Sequence, residues 1–263
     1  LVGSEMCIRD RVYVAPNSRF DREVTGGEDR YYHLVLLAEN NEGYANLMKI
    51  VSKGFVEGYY YKPRVDKELL KEYHEGIIAL SACLAGEIPD ALRKGVYQTA
   101  LNAAQEMSEI FGEDHFYLEL QDHGLPEQKL VNQSLLRMSQ ETGIELVATN
   151  DVHYTYAKDE KAHDILLCIQ TGKRLADENR MRYEGGQYYI KSEEEMKSLF
   201  PYALQALENT QKIADRCLVE IEFGVTKLPK YDVPDGYTSW EYLRKLCYDC
   251  LLYTSDAADD SLR

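Results

Sequence analysis

The sequence ELVATNDVHY, residues 145–154, joins the end of an apolar run to a cluster of polar side chains. A short, continuous apolar run is typical of a strand that is buried on both faces. Asp151 and His153 follow it directly, and reactive residues of α/β barrels cluster at the carboxyl ends of strands. In extended backbone the two side chains point the same way, so a carboxylate and an imidazole could share a divalent metal. A turn-capping aspartate, with a histidine that stacks on Tyr154, explains these residues equally well.

Similar apolar runs alternate along the chain with segments of helical periodicity. Strands are predicted at residues 34–38, 77–83, 115–120, 144–149 and 219–223. Helices are predicted at residues 40–60, 88–94, 97–111, 126–142, 160–170, 192–200 and 202–217, with a last helix from Ser239. Repeated strand–helix units predict an α/β fold with a parallel sheet, either doubly wound or closed into a barrel.

Other polar residues near predicted strand ends are weaker candidates on the residues alone. Cys83 ends one predicted strand, where a thiolate would favour zinc, although a buried structural cysteine is the default interpretation. His33 precedes a strand and so lies at the wrong end for a barrel ligand, which favours a structural histidine. Asp122 and His123 follow a further strand, where a simple turn is an equally good interpretation.

The composition restricts the class of protein. The chain has 30 basic and 45 acidic residues and a formal charge of −15, so its surface is poorly suited to be the main binding surface for a phosphate backbone. If the protein acts on nucleic acid, we expect the basic surface that binds the phosphates to lie in another part of the protein or in a partner protein. Six scattered cysteines predict a reducing compartment. No apolar run is long enough to span a bilayer, and a cytoplasmic location is predicted.

The two ends of the chain encode the same DNA element on opposite strands. Residues 1–11 (LVGSEMCIRDR) back-translate to a string that contains AGATGTGTATAAGAGACA. Residues 250–260 (CLLYTSDAADD) back-translate to one that begins with the reverse complement, TGTCTCTTATACACATCT. Both strings resemble the transposon-derived adapters of sequencing libraries. We therefore predict that residues 1–11 and 250–263 are adapter-derived, which removes Cys7 and Cys250 from any chemistry.

Seven segments resemble one known family, in one order and with little insertion. They are YYHLVLLAENNEGYANLMKIVSKGF, EGIIALSACLAGEIP, FYLELQDHG, ELVATNDVHY, AHDILLCIQTGK, ALENTQKIADRC and VEIEFG. These segments are similar to the PHP domain of the alpha subunits of bacterial DNA polymerase III, the replicative C-family polymerases. The resemblance covers residues 12–249. It implies a partial PHP domain at residues 12–224, then a linker and the start of the palm region at residues 225–249.

The family implies a distorted seven-stranded β/α barrel with a metal cluster on its rim. By motif, His33, Cys83, Asp151 and His153 match ligand positions, and the resemblance implies zinc there, with manganese or iron as alternatives. Asp122 and His123 match a family motif without an assigned metal. The palm carboxylates of the polymerase, which would use magnesium, are expected beyond residue 249, so no polymerase catalytic residue is predicted in this chain.

The sequence departs from the family at its start. A His-x-His motif, an Asp and a His that follow it, and a Glu just before the segment VYVAP have no counterpart, and Arg11 stands in the place of that Glu. We therefore expect an incomplete barrel that lacks its first strands, followed by a short linker and helix. Such a barrel has open edges, and we expect it to aggregate and to bind metal weakly.

The resemblance implies three alternatives for function. The first is a replicative DNA polymerase whose PHP domain hydrolyses phosphoesters, for example as a 3′–5′ exonuclease. The second is a non-catalytic module that braces the polymerase and docks a separate proofreading exonuclease. The third is a free-standing PHP phosphatase, which the extension after Gly224 disfavours. The implied partners are DNA, a sliding clamp and a proofreading exonuclease, and no association with a membrane is implied.

Overall fold

The computed structural model describes residues 8–22, 31–183, 185–226 and 228–260, and in them six strands form one sheet. The strands are β1 (Ile8–Val14), β2 (Tyr32–Ala38), β3 (Arg64–Val65), β4 (Ile77–Leu80), β5 (Phe116–Leu120) and β6 (Leu146–Ala148). Their spatial order is β3-β1-β2-β4-β5-β6. The predicted α/β class is confirmed, and within the described residues the sheet is open rather than closed into a barrel.

The sheet is mixed, which differs from the predicted parallel arrangement. β1 pairs with β3, β4 with β5, and β5 with β6 in parallel, whereas β2 runs antiparallel to both of its neighbours, β1 and β4. A single reversed strand therefore lies between parallel strands. Its amino end is at the edge where the carboxyl ends of β4, β5 and β6 lie, and this edge carries the polar residues considered below.

Helices account for most of the remaining described residues. They are α1 (Asn41–Val56), α2 (Lys67–Glu72), α3 (Glu87–Arg93), α4 (Tyr97–Phe111), α5 (Pro126–Thr142), α6 (Glu160–Thr171), α7 (Glu193–Leu199), α8 (Leu204–Arg216) and α9 (Ser239–Asp260), with a short 3₁₀ turn at Ala157–Asp159. The predicted helices are all present, with bounds that differ by a few residues. α2 and the strands β1 and β3 were not predicted, because two of these elements are short and β1 begins inside the segment interpreted as adapter.

Alternate residues of each strand pack on opposite faces of the sheet. One face carries a large core in which Leu36, Ala79 and Leu118 meet the helices that follow β2, β4 and β5. The other face carries a smaller core that includes Leu37, Tyr117 and Val147 and residues at the end of α8. A strand buried on both faces has no polar alternation, which explains the continuous apolar runs in the sequence.

The start of α1 is determined by two local features. The side-chain oxygen of Asn40 caps the helix by accepting a hydrogen bond from the Gly43 N–H at 2.9 Å. Gly43 also packs so closely against the loop before β4 that a Cβ atom there would lie 1.7 Å from the Gly76 carbonyl oxygen. Only glycine allows this approach, which brings the amino end of α1 against the turn into β4.

The predicted strand at residues 219–223 is wrong. The described chain has no strand there, although the Leu218 N–H donates to the Glu39 carbonyl at 2.8 Å and Val219 is buried. Phe223, in contrast, is 80% exposed. The alternation of VEIEF resembles a half-buried strand, but the backbone finds no continuous neighbouring ladder, so the segment stays irregular.

The chain divides into two compact units, Leu1–Glu220 and Ile221–Arg263. In the second unit α9 is capped by Thr238, whose hydroxyl accepts from the Glu241 N–H while Glu241 accepts from the Thr238 N–H. No helix among the described residues is long and apolar enough to cross a membrane.

The domain boundaries that the sequence predicts stay predictions, and so does the adapter origin of the two ends. Residues 8–11 of the predicted adapter segment lie in β1, paired with residues 35–38 of β2. Residues 1–7 and 261–263 lie outside the described residues.

Candidate functional site

His33 and Cys83 lie together at the edge of the sheet. His33 is the second residue of β2, and Cys83 follows the carboxyl end of β4. Because β2 is antiparallel to β4, the start of one strand lies beside the end of the other, and the His33 N–H donates to the Ala85 carbonyl at 2.9 Å. The His33 Nδ1 atom is 3.4 Å from the Cys83 Sγ atom. The reversed strand therefore removes the objection that His33 lies at the wrong end.

A cleft of about 470 Å³ opens at this edge. Cys83, Asp151 and His153 line it, so three of the four predicted ligand residues face one space, and His33 is not part of the lining but contacts Cys83. The cleft lies on the face of the sheet that carries the smaller core, since Val35 and Leu80 also line it. The sheet thus supplies an apolar floor below a polar rim.

Asp151 and His153 reach the cleft through a turn rather than through extended backbone. Asp151 has a φ of 38°, in the left-handed region that few non-glycine residues adopt. The turn brings the Asp151 carbonyl oxygen to 2.7 Å from the His153 Nδ1 atom. A carbonyl oxygen only accepts hydrogen bonds, so Nδ1 carries the proton and the lone pair of the neutral ring is on Nε2. An imidazole oriented in this way is suited to bind a cation through Nε2.

Aromatic rings surround His153. Tyr183 is 4.1 Å from it between ring centroids, Tyr188 is 5.6 Å away, and His163 of α6 is 5.9 Å away. The His153 N–H also donates to the Tyr188 carbonyl at 2.9 Å. Because both its backbone and its ring are held, His153 has little freedom to change rotamer.

Burial keeps His33 and Cys83 uncharged at neutral pH. Burial, followed by the positive charge of the Arg11 guanidinium, lowers the pKa of His33 to about 4, although the Asp151 carboxylate acts in the opposite direction. Burial raises the pKa of the Cys83 thiol, and a backbone hydrogen bond from Ala85 lowers it in part. A neutral imidazole is the form that binds a metal, whereas the thiol would have to lose its proton.

Glu119 is a residue of this cleft that the sequence interpretation missed. It lies in β5, is fully buried, and its Oε1 atom accepts hydrogen bonds from Gln121 at 2.9 Å and from the Thr149 hydroxyl. Its Oε2 atom has no hydrogen-bond partner among the described residues. Burial raises the pKa of this carboxyl. The available signal was a glutamate inside an otherwise apolar strand, two residues before Gln121.

Asp122 and His123 have structural roles. The Asp122 carboxylate accepts from the Gly124 N–H at 2.8 Å and closes the turn after β5. His123 is buried, its Nε2 donates to the Asn150 carbonyl at 2.9 Å, and its Nδ1 accepts from Gln128 at 2.8 Å. With both ring nitrogens satisfied inside the protein, His123 has no lone pair left for a ligand.

The chemical types of these side chains fit a divalent metal, but their spacing fits it less well. Thiol, imidazole and carboxylate groups together suit zinc and related ions. Among the described residues, however, no group of three or more such side chains is close enough together to hold an ion. Arg11 also lines the cleft, and its positive charge opposes the binding of a cation.

Comparisons with known proteins show which family and which relatives the chain is similar to. Residues 1–123 match the PHP domain family. The DNA polymerase III subunit alpha of Treponema pallidum is 46% identical over 94% of the chain, and that of Thermus aquaticus is 42% identical over 95%. The Helicobacter pylori (strain 26695) subunit is 46% identical over 73% of the chain. The chain spans about a fifth of the length of these relatives, at 21%, 21% and 16% respectively.

The fold and the family match together assign residues 1–123 to the PHP domain family. More particularly, the chain is homologous to the bacterial DNA polymerase III alpha subunits over nearly its whole length.

Proposed function

We propose that the cleft is the metal-binding site of a PHP domain and that it hydrolyses phosphoesters within a replicative DNA polymerase alpha subunit. The observation that carries the proposal is the convergence of His33, Cys83, Asp151 and His153 on one edge of the sheet, from three separate strand ends. These residues come from three distant parts of the sequence and lie together at this edge, although the fold itself does not require a thiol, two imidazoles and a carboxylate to be neighbours.

The four residues would hold a divalent ion, with zinc favoured by the thiol and manganese or iron as alternatives. Such an ion supplies a nucleophilic hydroxide and stabilises the charge on a phosphoryl group. The protein holds the Nε2 atom of His153 ready by fixing its Nδ1–H on the Asp151 carbonyl. Because His33 is already neutral, binding requires no loss of its proton.

In this proposal the whole protein synthesises DNA on a template, with magnesium at palm carboxylates outside this chain. DNA, a sliding clamp and a proofreading exonuclease are its proposed partners, and the cytoplasm its proposed location. The 3′ end of a mismatched primer is the proposed substrate of the PHP cleft. The net charge of −15 is consistent with DNA being held mainly by other parts of the polymerase.

One observation favours a second candidate function. Arg11 faces the cleft, and the described donors are not gathered tightly enough to hold an ion. A domain in this state would act as a brace for the polymerase and a docking surface for a separate exonuclease. By the family motif, Arg11 stands where relatives of the family have Glu.

The test uses this domain within a full-length DNA polymerase III alpha subunit. We would measure the bound metal of the purified protein and its hydrolysis of a 3′-mismatched primer, for the wild type and for Asp151→Ala. We expect the variant to lose bound metal, and its hydrolysis rate to fall by at least about 100-fold, because metal-assisted catalysis depends on the intact ligand set. Asp122→Ala is the matched control, since this aspartate also follows a strand but only closes a turn.

Metal retained by the wild type without hydrolysis would favour the brace over the phosphoesterase. Hydrolysis that survives Asp151→Ala would contradict the proposed site. Within the present chain, Arg11→Glu should increase the bound metal, because it removes a positive charge from the cleft and adds a carboxylate.

A further inference from the structure

Three aromatic side chains meet at the amino end of β2. Tyr13 of β1 lies directly opposite His33 in the antiparallel register, with 5.4 Å between the ring centroids. Tyr31 precedes β2, and its ring lies 4.7 Å from that of Tyr13 and is stacked on His33 at 6.3 Å. The His33 ring in turn contacts Cys83, which lines the cleft. This aromatic cluster therefore ends at the border of the cleft.

The strand register shows that the cluster is on the same face of the sheet as the cleft. Arg11 and Val35 are paired across β1 and β2, and both line the cleft. Tyr13 is two residues after Arg11, and His33 is two residues before Val35. Side chains two residues apart in a strand point to the same face of the sheet. The cleft and the aromatic cluster are therefore neighbours on one face.

A second group of aromatic side chains lies in the loop between α1 and β3. The rings of Tyr60 and Tyr61 are 4.6 Å apart, edge to face, and Tyr61 is 60% exposed. Lys62 connects the two groups, because its carbonyl accepts from the Tyr60 N–H at 3.0 Å and its Nζ atom lies 5.9 Å from the centre of the Tyr13 ring. Tyr61 has a φ of 61°, a left-handed conformation that costs free energy in a bulky residue. The loop keeps this conformation at the residue that carries the exposed ring.

We call five residues the aromatic track, namely Tyr13, Tyr31, Tyr60, Tyr61 and Lys62. All of them are exposed or half-buried, so their side chains do not fill the core. Surfaces that bind single-stranded nucleic acid combine aromatic rings, on which bases stack, with cations along the backbone. The bases of a duplex are already stacked on each other and leave few faces for such rings. The track therefore fits a single strand better than a duplex.

We propose that the aromatic track binds the single-stranded 3′ end of a polynucleotide by base stacking and leads its terminal phosphodiester to the cleft. The inference rests on the proposed phosphoesterase function, because that function defines which bond enters the cleft. It adds a surface that is formed by residues outside the predicted ligand set. A formal charge of −15 leaves few cations for phosphates, so stacking rather than ion pairing supplies most of the binding.

The test measures the binding of DNA separately from its hydrolysis. A fluorescein-labelled thymidine octanucleotide and an eight-base-pair duplex are titrated with the full 263-residue chain in EDTA, which prevents metal-assisted hydrolysis. Fluorescence anisotropy gives the two dissociation constants. We expect the single strand to bind at least about 10-fold more tightly than the duplex. Because few phosphates are neutralised, the logarithm of its affinity should fall with the logarithm of the salt concentration with a slope of only about −1.

Variants identify the rings that bind the bases. Tyr31→Ala and Tyr61→Ala should each weaken single-strand binding by about 5- to 100-fold, because a stacking platform is lost. Tyr31→Phe keeps the ring and should bind like the wild type. Because the Tyr61 side chain is mostly exposed, Tyr61→Ala should fold even if Tyr31→Ala does not.

Tyr97→Ala is the matched control. Tyr97 is half-buried like Tyr31 and has a cation over its ring, since the Arg137 guanidinium lies 4.5 Å from the ring centre. It packs, however, against the large core on the opposite face of the sheet. This variant should therefore bind the single strand like the wild type.

Wild-type affinity in both Tyr31→Ala and Tyr61→Ala would overturn the inference, as would an equal loss of binding in Tyr97→Ala. A loss of binding in Tyr31→Phe would also overturn it, since the hydroxyl rather than the ring would then make the contact. Tighter binding of the duplex, or a slope steeper than about −3, would show that phosphates are bound instead of bases. If the alanine variants turn a dimer into a monomer in analytical ultracentrifugation and keep their DNA affinity, the track joins two copies of the chain and the inference is wrong.

Failure of the inference can be distinguished from failure of the proposed function. A wild type that does not bind the octanucleotide overturns the inference, but the proposed function survives if the full-length alpha subunit hydrolyses a mismatched primer. The reverse result, binding that depends on Tyr31 and Tyr61 without any hydrolysis, overturns the proposed function and leaves the track as a binding surface for single strands.

Discussion

Glu119 shows how a single buried carboxyl can couple the cleft to the stability of the fold. Its Oε1 atom accepts from Gln121 and Thr149, while its Oε2 atom has no partner among the described residues. An ionised carboxylate in this position would be desolvated without a compensating cation in contact. Burial therefore raises its pKa above the ordinary value of 4.5.

We predict that Glu119→Gln removes part of the pH dependence of stability. The folded protein keeps this proton at pH values where the unfolded chain has lost it, so the free energy of unfolding falls as pH rises above about 4.5. The fall is at most about 1.4 kcal/mol per pH unit for one group. A glutamine side chain has the same shape and cannot ionise. Urea unfolding from pH 4 to 8 should show the variant gaining stability relative to the wild type as the pH rises, and parallel curves would contradict this.

His153 illustrates a second effect at the scale of the residue. Its tautomer is set by one backbone carbonyl two residues earlier, and its ring is held by tyrosines that are distant in the sequence. The side chain is thus oriented before any ligand binds, which lowers the entropic cost of binding.

At the scale of elements, the close approach of α1 to the turn before β4 stabilises the centre of the sheet. A Cβ atom at Gly43 would lie 1.7 Å from the Gly76 carbonyl oxygen, a backbone atom that cannot move by itself. Gly54 lies in the same helix, and its nearest neighbour would be a side-chain atom of Val65 at 3.2 Å. The two glycines differ in what surrounds them rather than in helix propensity.

We predict that Gly43→Ala destabilises the protein by at least about 2 kcal/mol, although alanine favours helix formation by about 1 kcal/mol. The helix must shift away from the turn to relieve the overlap. Gly54→Ala is the matched control, because it gains the same propensity and its closest contact is a side chain that can adjust. Its effect should stay within about 1 kcal/mol, measured by chemical denaturation. Equal effects of the two substitutions would show that the close approach is not required.

At the scale of the whole molecule, the chain consists of two compact units. The first ends at residue 220, and the second begins at residue 221. The last residues of the first unit contribute to its core, since Cys217 and Val219 are buried. Leu218 also donates its N–H to the Glu39 carbonyl. Residues from 221 onward belong to the second unit, so the two parts should respond differently to truncation.

We predict that a chain ending at Asp249 unfolds within about 2 °C of the full chain, because only residues of the second unit are removed. A chain ending at Asp215 is the control. It loses two buried side chains, each worth about 1.5–3 kcal/mol, and should unfold roughly 5–10 °C lower. Differential scanning calorimetry measures both. A large loss of stability on ending the chain at Asp249 would show that the first unit depends on the deleted residues.

Much of this architecture was predictable from the sequence, because hydrophobic periodicity is a local property. The continuous apolar runs of β2 and β4, the alternation of β5 and the helical spacing of α4 and α5 predict these elements with nearly correct bounds. The same positions predicted that Asp151 and Cys83 follow strand ends. The position of His153 two residues after Asp151 made it a candidate as well, and the family motifs favoured His33 and Cys83 as ligands; these roles stay predictions.

Only the tertiary structure decided how these elements pair. The direction of β2 depends on hydrogen bonds to β1 and β4, which no local pattern encodes, and this direction alone brings His33 next to Cys83. The burial of Glu119 and the enclosure of His153 by Tyr183 and Tyr188 likewise depend on residues distant in the chain. Sequence by itself determined most of the strands and helices and most of the side chains that could carry chemistry. The long-range pairing of strands determined which of those side chains share a cleft.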